Sequence, residues 1–270
     1  MMRGVLHAWA DGAAAIATVL RDTDPSWGSE TFEIADGRAV LWGPGLYVNR
    51  ALALGIDEAV TTTDFEMLEH RSRAVGVPAA IESTSMTQRS VTALAARRGY
   101  VQSGSVIALR RDLSDSPSGA PDGVTVGPAE VSLWQAVSAA GWGHAGGPAR
   151  RASDAFAAAV ATVDGGGFVL ATDIVDGRPI GCATMSMRGG IATLAGMSTL
   201  PGERRRGVQT ALVLHRLRLA RAAGCVVATA TTAPGGASER NLRRLGFETW
   251  FEITTLVRRP EPLGWESPGR

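Results

Sequence analysis

The chain has 270 residues, 45% hydrophobic and 20% charged, a composition that folds around a packed core. A formal net charge of +1 excludes a general nucleic-acid binder, so any basic site has to be local. No apolar run approaches the roughly 20 residues needed to span a membrane. The stretch Met1 to Leu20 is interrupted by Asp11 and leads into no signal-peptide pattern, so the expectation is a cytoplasmic protein. All 27 Lys+Arg residues are arginine, which suggests a GC-rich bacterial genome and leaves no lysine for Schiff-base chemistry. Cys182 and Cys225 lie in apolar, strand-like runs and read as buried thiols rather than a disulfide.

In chain order, "TDFEMLEHRSRAVG" reads as a helix closed by Gly76, followed by the strand "VPAAIESTS", the helix "TQRSVTALAARRG" and the strand "YVQSGSVIALRRDL". Asp112 to Gly123, rich in Ser, Pro, Asp and Gly, reads as a linker. After it come the strand "GVTVGPAE" and the helices "SLWQAVSAAGWG" and "RRASDAFAAAVATVDG". Gly167 to Leu200 holds three strands separated by "DGRP" and "RGG" turns, an antiparallel meander. A helix ending at Gly224, a strand from Cys225, a short helix "ASERNLRRLG" and a last strand from Phe247 complete the second half. Gly76 and Gly224 lie 148 residues apart, and Tyr100 of "RRGY" and Phe247 of "RLGF" lie 147 apart. Matching order and spacing read as an internal duplication, with 1–111 as the first copy, 124–259 as the second and 260–270 as a tail. The expected fold is α/β with two tandem domains, each a mixed, mostly antiparallel sheet flanked by helices.

Arg204, Arg205, Arg206 and Gly207 sit where the third meander strand gives way to a helix. Cations disfavour a helix N-terminus, which already carries partial positive charge, unless an anion is bound there. The first N–H groups of the helix have no helical partner and can cradle a phosphate. Gly207 leaves the backbone open to close approach, and arginine supplies bidentate donors for a pyrophosphate.

This segment resembles the GNAT acetyltransferase superfamily, whose acyl-CoA signature is (Gln/Arg)-x-x-Gly-x-(Gly/Ala). Arg204 and Gly207 match it, whereas Gln209 stands where Gly or Ala is usual. The element order and "LRRLGF" are also similar to the family from about Val124 to Arg258. The resemblance implies acetyl-CoA as co-substrate, with no metal, held by Met197, Thr199, Arg204, Arg205, Arg206, Gly207, Val208, Gln209, Thr210, Ser238 and Asn241. It also implies backbone N–H groups near Met197 to Thr199 that polarise the acetyl carbonyl. A helix N-cap role explains Ser238 equally well. The family's usual Glu base is missing, because "GIATLAGMSTL" has no acid, and its usual Tyr acid falls on Leu242.

The substitute candidates are His144, in the Gly-rich "GWGHAGG", Ser198 and Glu252. His144 has a suitable ordinary pKa, though it is equally readable as an idle loop histidine. Ser198, near the strand end, is a candidate to hydrogen-bond pantetheine or substrate, or is structural. Alternation along the last strand leaves both orientations open for Glu252. His215 reads as packing, and Trp134 and Trp142 as core aromatics or an aromatic substrate pocket. At an offset of 148, Arg204, Arg205, Arg206 and Gly207 map to Ile56, Asp57, Glu58 and Ala59. Acids there repel a pyrophosphate, so the first copy is expected not to bind CoA. The resulting expectation is an acyl-CoA-dependent N-acyltransferase that acts by direct transfer on a small-molecule amine, away from nucleic acid and membrane, as a monomer. The alternatives are a non-catalytic acyl-CoA-binding or regulatory module, and a GNAT-like enzyme of natural-product biosynthesis with different chemistry.

Overall fold

The computed structural model describes residues 1–115, 119, 121–144, 146–163 and 167–259, so the expected tail over 260–270 and part of the expected linker lie outside the described residues. The elements are α1 (Met2–Thr23), β1 (Glu30–Ile34), β2 (Gly37–Leu41), β3 (Asn49–Leu52), α2 (Thr62–Val75), β4 (Ala80–Ser83), α3 (Arg89–Arg97) and β5 (Tyr100–Asp112). There follow β6 (Val124–Pro128), α4 (Val131–Trp142), α5 (Gly147–Thr162), β7 (Gly167–Asp173), β8 (Pro179–Arg188), β9 (Ile191–Thr199), α6 (Val208–Ala222), β10 (Val227–Thr232), α7 (Ala237–Arg244) and β11 (Glu248–Arg258). These match the elements expected from the sequence after Thr62. α1 and β1 to β3 precede that region and carried no sequence assignment.

The chain forms two compact units. The first contains Met1–Ala17, Pro25–Gly104 and the chain from Thr254. In it β1, β2 and β3 pair antiparallel, β3 runs parallel to β4 at Ala51↔Ile81, and β4 pairs antiparallel with the end of β11 over Thr254–Val257. α2 and α3 bury Phe65, Leu68, Val91 and Ala95 against Ile34, Ala39, Ala51, Ile81 and Tyr100. Thr61 begins α2 with a reciprocal capping box to Asp64, and Gly76 ends it in the left-handed region.

The second unit contains Thr18–Asp24 and Ser105–Ile253. Its strand order is β5-β10-β9-β8-β7-β6, with β10 parallel to β9 and the other pairs antiparallel. Side chains of β7 alternate between two cores, and those of β8 are divided between the same two, with a register shift at Ile180. Phe168, Leu170 and Cys182 pack with Trp134, Val137 and Ala157 of α4 and α5. Val169, Ala171, Ile180 and Ala183 pack with Val208 and Leu212 of α6. The period-2 pattern of an apolar run buried on both faces thus places α4 and α6 on opposite faces of this sheet. The compact units do not follow the sequence halves: the closing part of β5 belongs to the second unit, and the closing part of β11 belongs to the first.

Candidate active site

Two local features open the sheet of the second unit. β9 and β10 pair only from Ile191↔Val227 to Leu194↔Ala230, so Ala195 to Thr199 lie beyond the last pairing. On the other edge of β9, Thr184 opposes Ala195 and Cys182 opposes Ser198, so Ala183 alone faces Gly196 and Met197. This is a β-bulge, and a bulge bends its strand and increases the local twist. Gly196 takes φ +56°, and a Cβ there would lie 2.8 Å from Thr184 Oγ1 and 3.2 Å from Trp134 Cζ2. Only glycine fits both the backbone angle and that space. The sequence signal for it is a glycine inside a strand, "TLAGMS".

The starts of the two helices that follow β9 and β10 are tied together. Gln209 Nε2 donates to Ser238 Oγ at 3.1 Å, and Thr210 Oγ1 donates to Asn241 Oδ1 at 3.0 Å, joining the first turns of α6 and α7. Two polar atoms nearby in sequence are buried and lack a hydrogen-bond partner: Ser198 Oγ and Asn241 Nδ2. Their residues are only 5% exposed. An unmet buried polar atom is costly, which fits groups that await a ligand. Ser198 and Met197, adjacent in β9, present their side chains to opposite faces. Thr199 is half-buried.

The three arginines differ. Arg206 Nη2 donates to Asp173 Oδ2 at 2.7 Å, and Arg206 Nη1 donates to Glu203 Oε2 at 2.5 Å. Glu203 also accepts from Arg178 at 2.8 Å. The bond from the Val175 N–H, and then Arg206, hold Asp173 below the ordinary carboxylate range. Arg178, and then Arg206, do the same for Glu203. Arg204 reaches the Gly141 carbonyl, at the end of α4, at 3.5 Å. Arg205 is exposed at φ +67° and makes no ion pair among the described residues. The cations open to an anion are therefore Arg204 and Arg205, whereas Arg206 is already neutralised. Gly207 takes φ +78°, and the space a Cβ would fill holds the Pro121 ring at 2.7 Å. Glycine is needed there for the backbone angle and for Pro121, a different reason from open approach of an anion. Val208 is buried in the core, so its contribution to a ligand is its N–H at the start of α6.

His144 follows α4, with Nδ1 2.9 Å from Ser153 Oγ on α5. Glu252 is exposed, between buried Phe251 and Ile253 on β11. Leu242, at the position of the family's tyrosine, is 2% exposed and packed in the core with Phe247. Trp134 is core: its Nε1 donates to the Ala183 carbonyl at 3.0 Å and its ring meets Phe168 edge-on. Trp142 is 61% exposed. Burial, with Arg218 and Arg216 nearby, lowers His215 below the ordinary histidine value. Cys182 and Cys225 are free, buried thiols.

In the first unit the loop before α2 is filled from within. The Asp36 carboxylate accepts from the backbone N–H of Gly55 (2.7 Å), Ile56 (2.7 Å) and Asp57 (2.5 Å), and more distantly of Glu58 (3.4 Å). These residues include the counterparts of the arginines before α6. An internal carboxylate thus takes the N–H groups that an external anion would need.

Comparison with known proteins agrees with this geometry. Residues 134–247 match the family model described as the acetyltransferase (GNAT) family. The fold is similar to a GCN5-related N-acetyltransferase from Kribbella flavida, with TM-score 0.64 and 20% identity over 93% of this chain and 97% of that one. It is similar to a tandem GNAT protein from the clavulanic acid biosynthesis pathway, with TM-score 0.61 and 15% identity over 85% of this chain and 80% of that one. A GCN5-related N-acetyltransferase from Sphaerobacter thermophilus gives TM-score 0.57 and 13% identity over 79% and 73%. No curated protein matches the sequence. Among the described residues no helix is long and apolar enough to cross a membrane. Over residues 134–247, then, the chain is similar to the acetyltransferase (GNAT) family, and its fold is that of GCN5-related N-acetyltransferases.

Proposed function

We propose that the second half, residues 124–259, is an acetyl-CoA-dependent N-acyltransferase that passes its acyl group directly to an amine of a small molecule. The observation that carries this is the joining of the starts of α6 and α7 through Gln209–Ser238 and Thr210–Asn241, next to the exposed Arg205, with Asn241 Nδ2 buried and lacking a hydrogen-bond partner. These groups fit the parts of a CoA thioester. Arg204, Arg205 and the N–H groups of Val208, Gln209 and Thr210 suit the pyrophosphate. Asn241 Nδ2 is a donor without an acceptor, which suits a pantetheine carbonyl.

Bound acetyl-CoA supplies an activated acyl group. In direct transfer the amine nitrogen bonds to the acyl carbon, the carbon–sulfur bond breaks, and the proton lost by the amine ends on the thiol. This chain's contribution is to hold the reactants together, worth about 7–11 kcal/mol when the geometry is near-attack, and to aim β9 backbone donors at the carbonyl. His144, fixed by Ser153, is the proposed base. The exposed Glu252 has no counterpart in this scheme. The first half is proposed to bind no CoA, and the protein is proposed to act in the cytoplasm as a monomer.

Leu242 buried in the core and the lack of any acid in β9 favour a second reading, an acyl-CoA-binding module without catalysis. Thermal shift with acetyl-CoA and release of free thiol in the presence of an amine panel separate the two. Ligand at 100 times its dissociation constant adds about 2.7 kcal/mol of stability. A shift with no thiol release leaves the binding module, and no shift at millimolar acetyl-CoA defeats both readings.

A further inference from the structure

Arg216, on the third turn of α6, is 1% exposed and has no carboxylate partner among the described residues. A guanidinium stripped of water and of counter-charge is costly unless its donors are met by well-placed acceptors. The acceptors here are specific. Nε donates to the Leu212 carbonyl at 3.1 Å within α6. Nη1 donates to the Thr184 carbonyl at 2.7 Å and to the Ala195 carbonyl at 3.2 Å. Nη2 reaches Met197 Sδ at 3.3 Å. Thr184 and Ala195 are the cross-strand pair at the edge of the bulge, and Met197 lies within it. One buried cation therefore grips β8 and β9 at the point where their register breaks and where β9 has just left β10.

The peptide between Ala195 and Gly196 is trans, as are all peptide bonds described. Since Arg216 holds its carbonyl, its N–H is directed the opposite way along the same peptide, on the part of β9 beyond its last pairing with β10. A full positive charge on the carbonyl oxygen draws electron density through the peptide and makes that N–H a stronger donor. Burial lowers the guanidinium to about 9, which still leaves it charged at neutral pH.

Resting on the acyltransferase reading above, we infer that Arg216 is a positioning residue: through the Ala195–Gly196 peptide it orients and polarises the Gly196 N–H toward the acyl carbonyl. This assigns work to a buried charge that neither packing nor an ion pair explains. It also supplies electrostatic assistance in a site that lacks the family's usual glutamate and tyrosine.

The test uses acetyl-CoA labelled with ¹³C at the thioester carbonyl, bound to the full-length protein and read by isotope-edited infrared spectroscopy. The expected result for the wild type is a carbonyl stretch lowered relative to free acetyl-CoA. Arg216→Met, folded by circular dichroism, is expected to return that stretch toward the free value. It should also lose about 10- to 100-fold in kcat, less than or equal to the loss of one oxyanion donor, while KM for acetyl-CoA moves less than about 2-fold. Arg216→Lys, which keeps the charge, is expected to recover part of both. A folded Arg216→Met with unchanged kcat and stretch overturns the inference. If Arg216→Met does not fold, the wild-type spectrum decides, and an unshifted carbonyl overturns it. Failure of acetyl-CoA to bind overturns the functional reading and the inference together, whereas binding with an unshifted carbonyl overturns the inference alone.

Discussion

Replacing Asp36 with alanine removes the carboxylate that fills the loop before α2. Four backbone N–H groups, those of Gly55, Ile56, Asp57 and Glu58, lose their acceptor. Asp57 and Glu58 are exposed, so water replaces the carboxylate there. Gly55 and Ile56 are buried, so their donors are left unmet. At about 1.5 kcal/mol for each buried donor, the loss is about 3 kcal/mol. For a protein of this size that lowers the first thermal transition by about 6–12 °C. Asp36→Asn retains one acceptor oxygen and is expected to lose about half as much. The assay is thermal unfolding by circular dichroism, paired with calorimetric titration of acetyl-CoA into the same preparation. Acetyl-CoA affinity should be unchanged, because the ligand is assigned to the other half of the chain. An Asp36→Ala variant as stable as wild type would refute the internal-anion argument. A variant with parallel loss of acetyl-CoA affinity would refute the assignment of CoA to the second half alone.

Arg205→Gln should weaken acetyl-CoA binding by about 10-fold without changing stability, since the side chain has a ligand to meet and no ion pair to lose; titration calorimetry reads it. Arg206→Gln should lower the melting temperature while leaving acetyl-CoA affinity nearly unchanged, because Arg206 is committed to Asp173 and Glu203. Both carboxyls are held below their ordinary values when folded, so their contribution to stability is complete above the unfolded carboxyl range near pH 4 and is lost as pH falls through the depressed folded values. Acid unfolding should therefore begin at higher pH in Asp173→Asn than in wild type. His144→Ala should cut turnover by about 10²–10⁴ with acetyl-CoA affinity unchanged; a retained rate excludes it as the base. Burial pushes the Cys182 thiol up to about 12, so iodoacetamide at pH 8 should leave it unlabelled until the protein unfolds.

What could be read from the sequence was local. Gly76 and Gly224 marked helix ends because a left-handed cap leaves a glycine at a fixed distance from an apolar periodicity. The three meander strands were legible from the turns between them, and so was the loop of Arg204 to Gly207, since a strand, a turn and a helix follow one another in the chain. Gln209, Thr210, Ser238 and Asn241 were named from a family resemblance, and the structure brings them together through two hydrogen bonds. Relations across distance were not legible. Asp36 meets a loop about 20 residues away, and nothing near it announces that its carboxylate is an acceptor for backbone. Arg206 looked like its two neighbours until Asp173, 33 residues earlier, came beside it. Arg216 read as one more basic residue on a helix, because its burial depends on which face of α6 the sheet covers.

The assignment of strand ends to the two compact units has a consequence for synthesis. The first unit begins at Met1 but is completed by residues from Thr254 onward. While the ribosome is still making the second half, β4 has one edge without its antiparallel neighbour, and an open edge is a template for pairing with another chain. The nascent first half must therefore wait, incomplete, until residues 254–257 have been made and can pair with β4. A chain cut after residue 111 would keep that edge exposed for good, and pulse-labelled nascent chains should become protease-resistant in the first half only after residue 258 has left the exit tunnel.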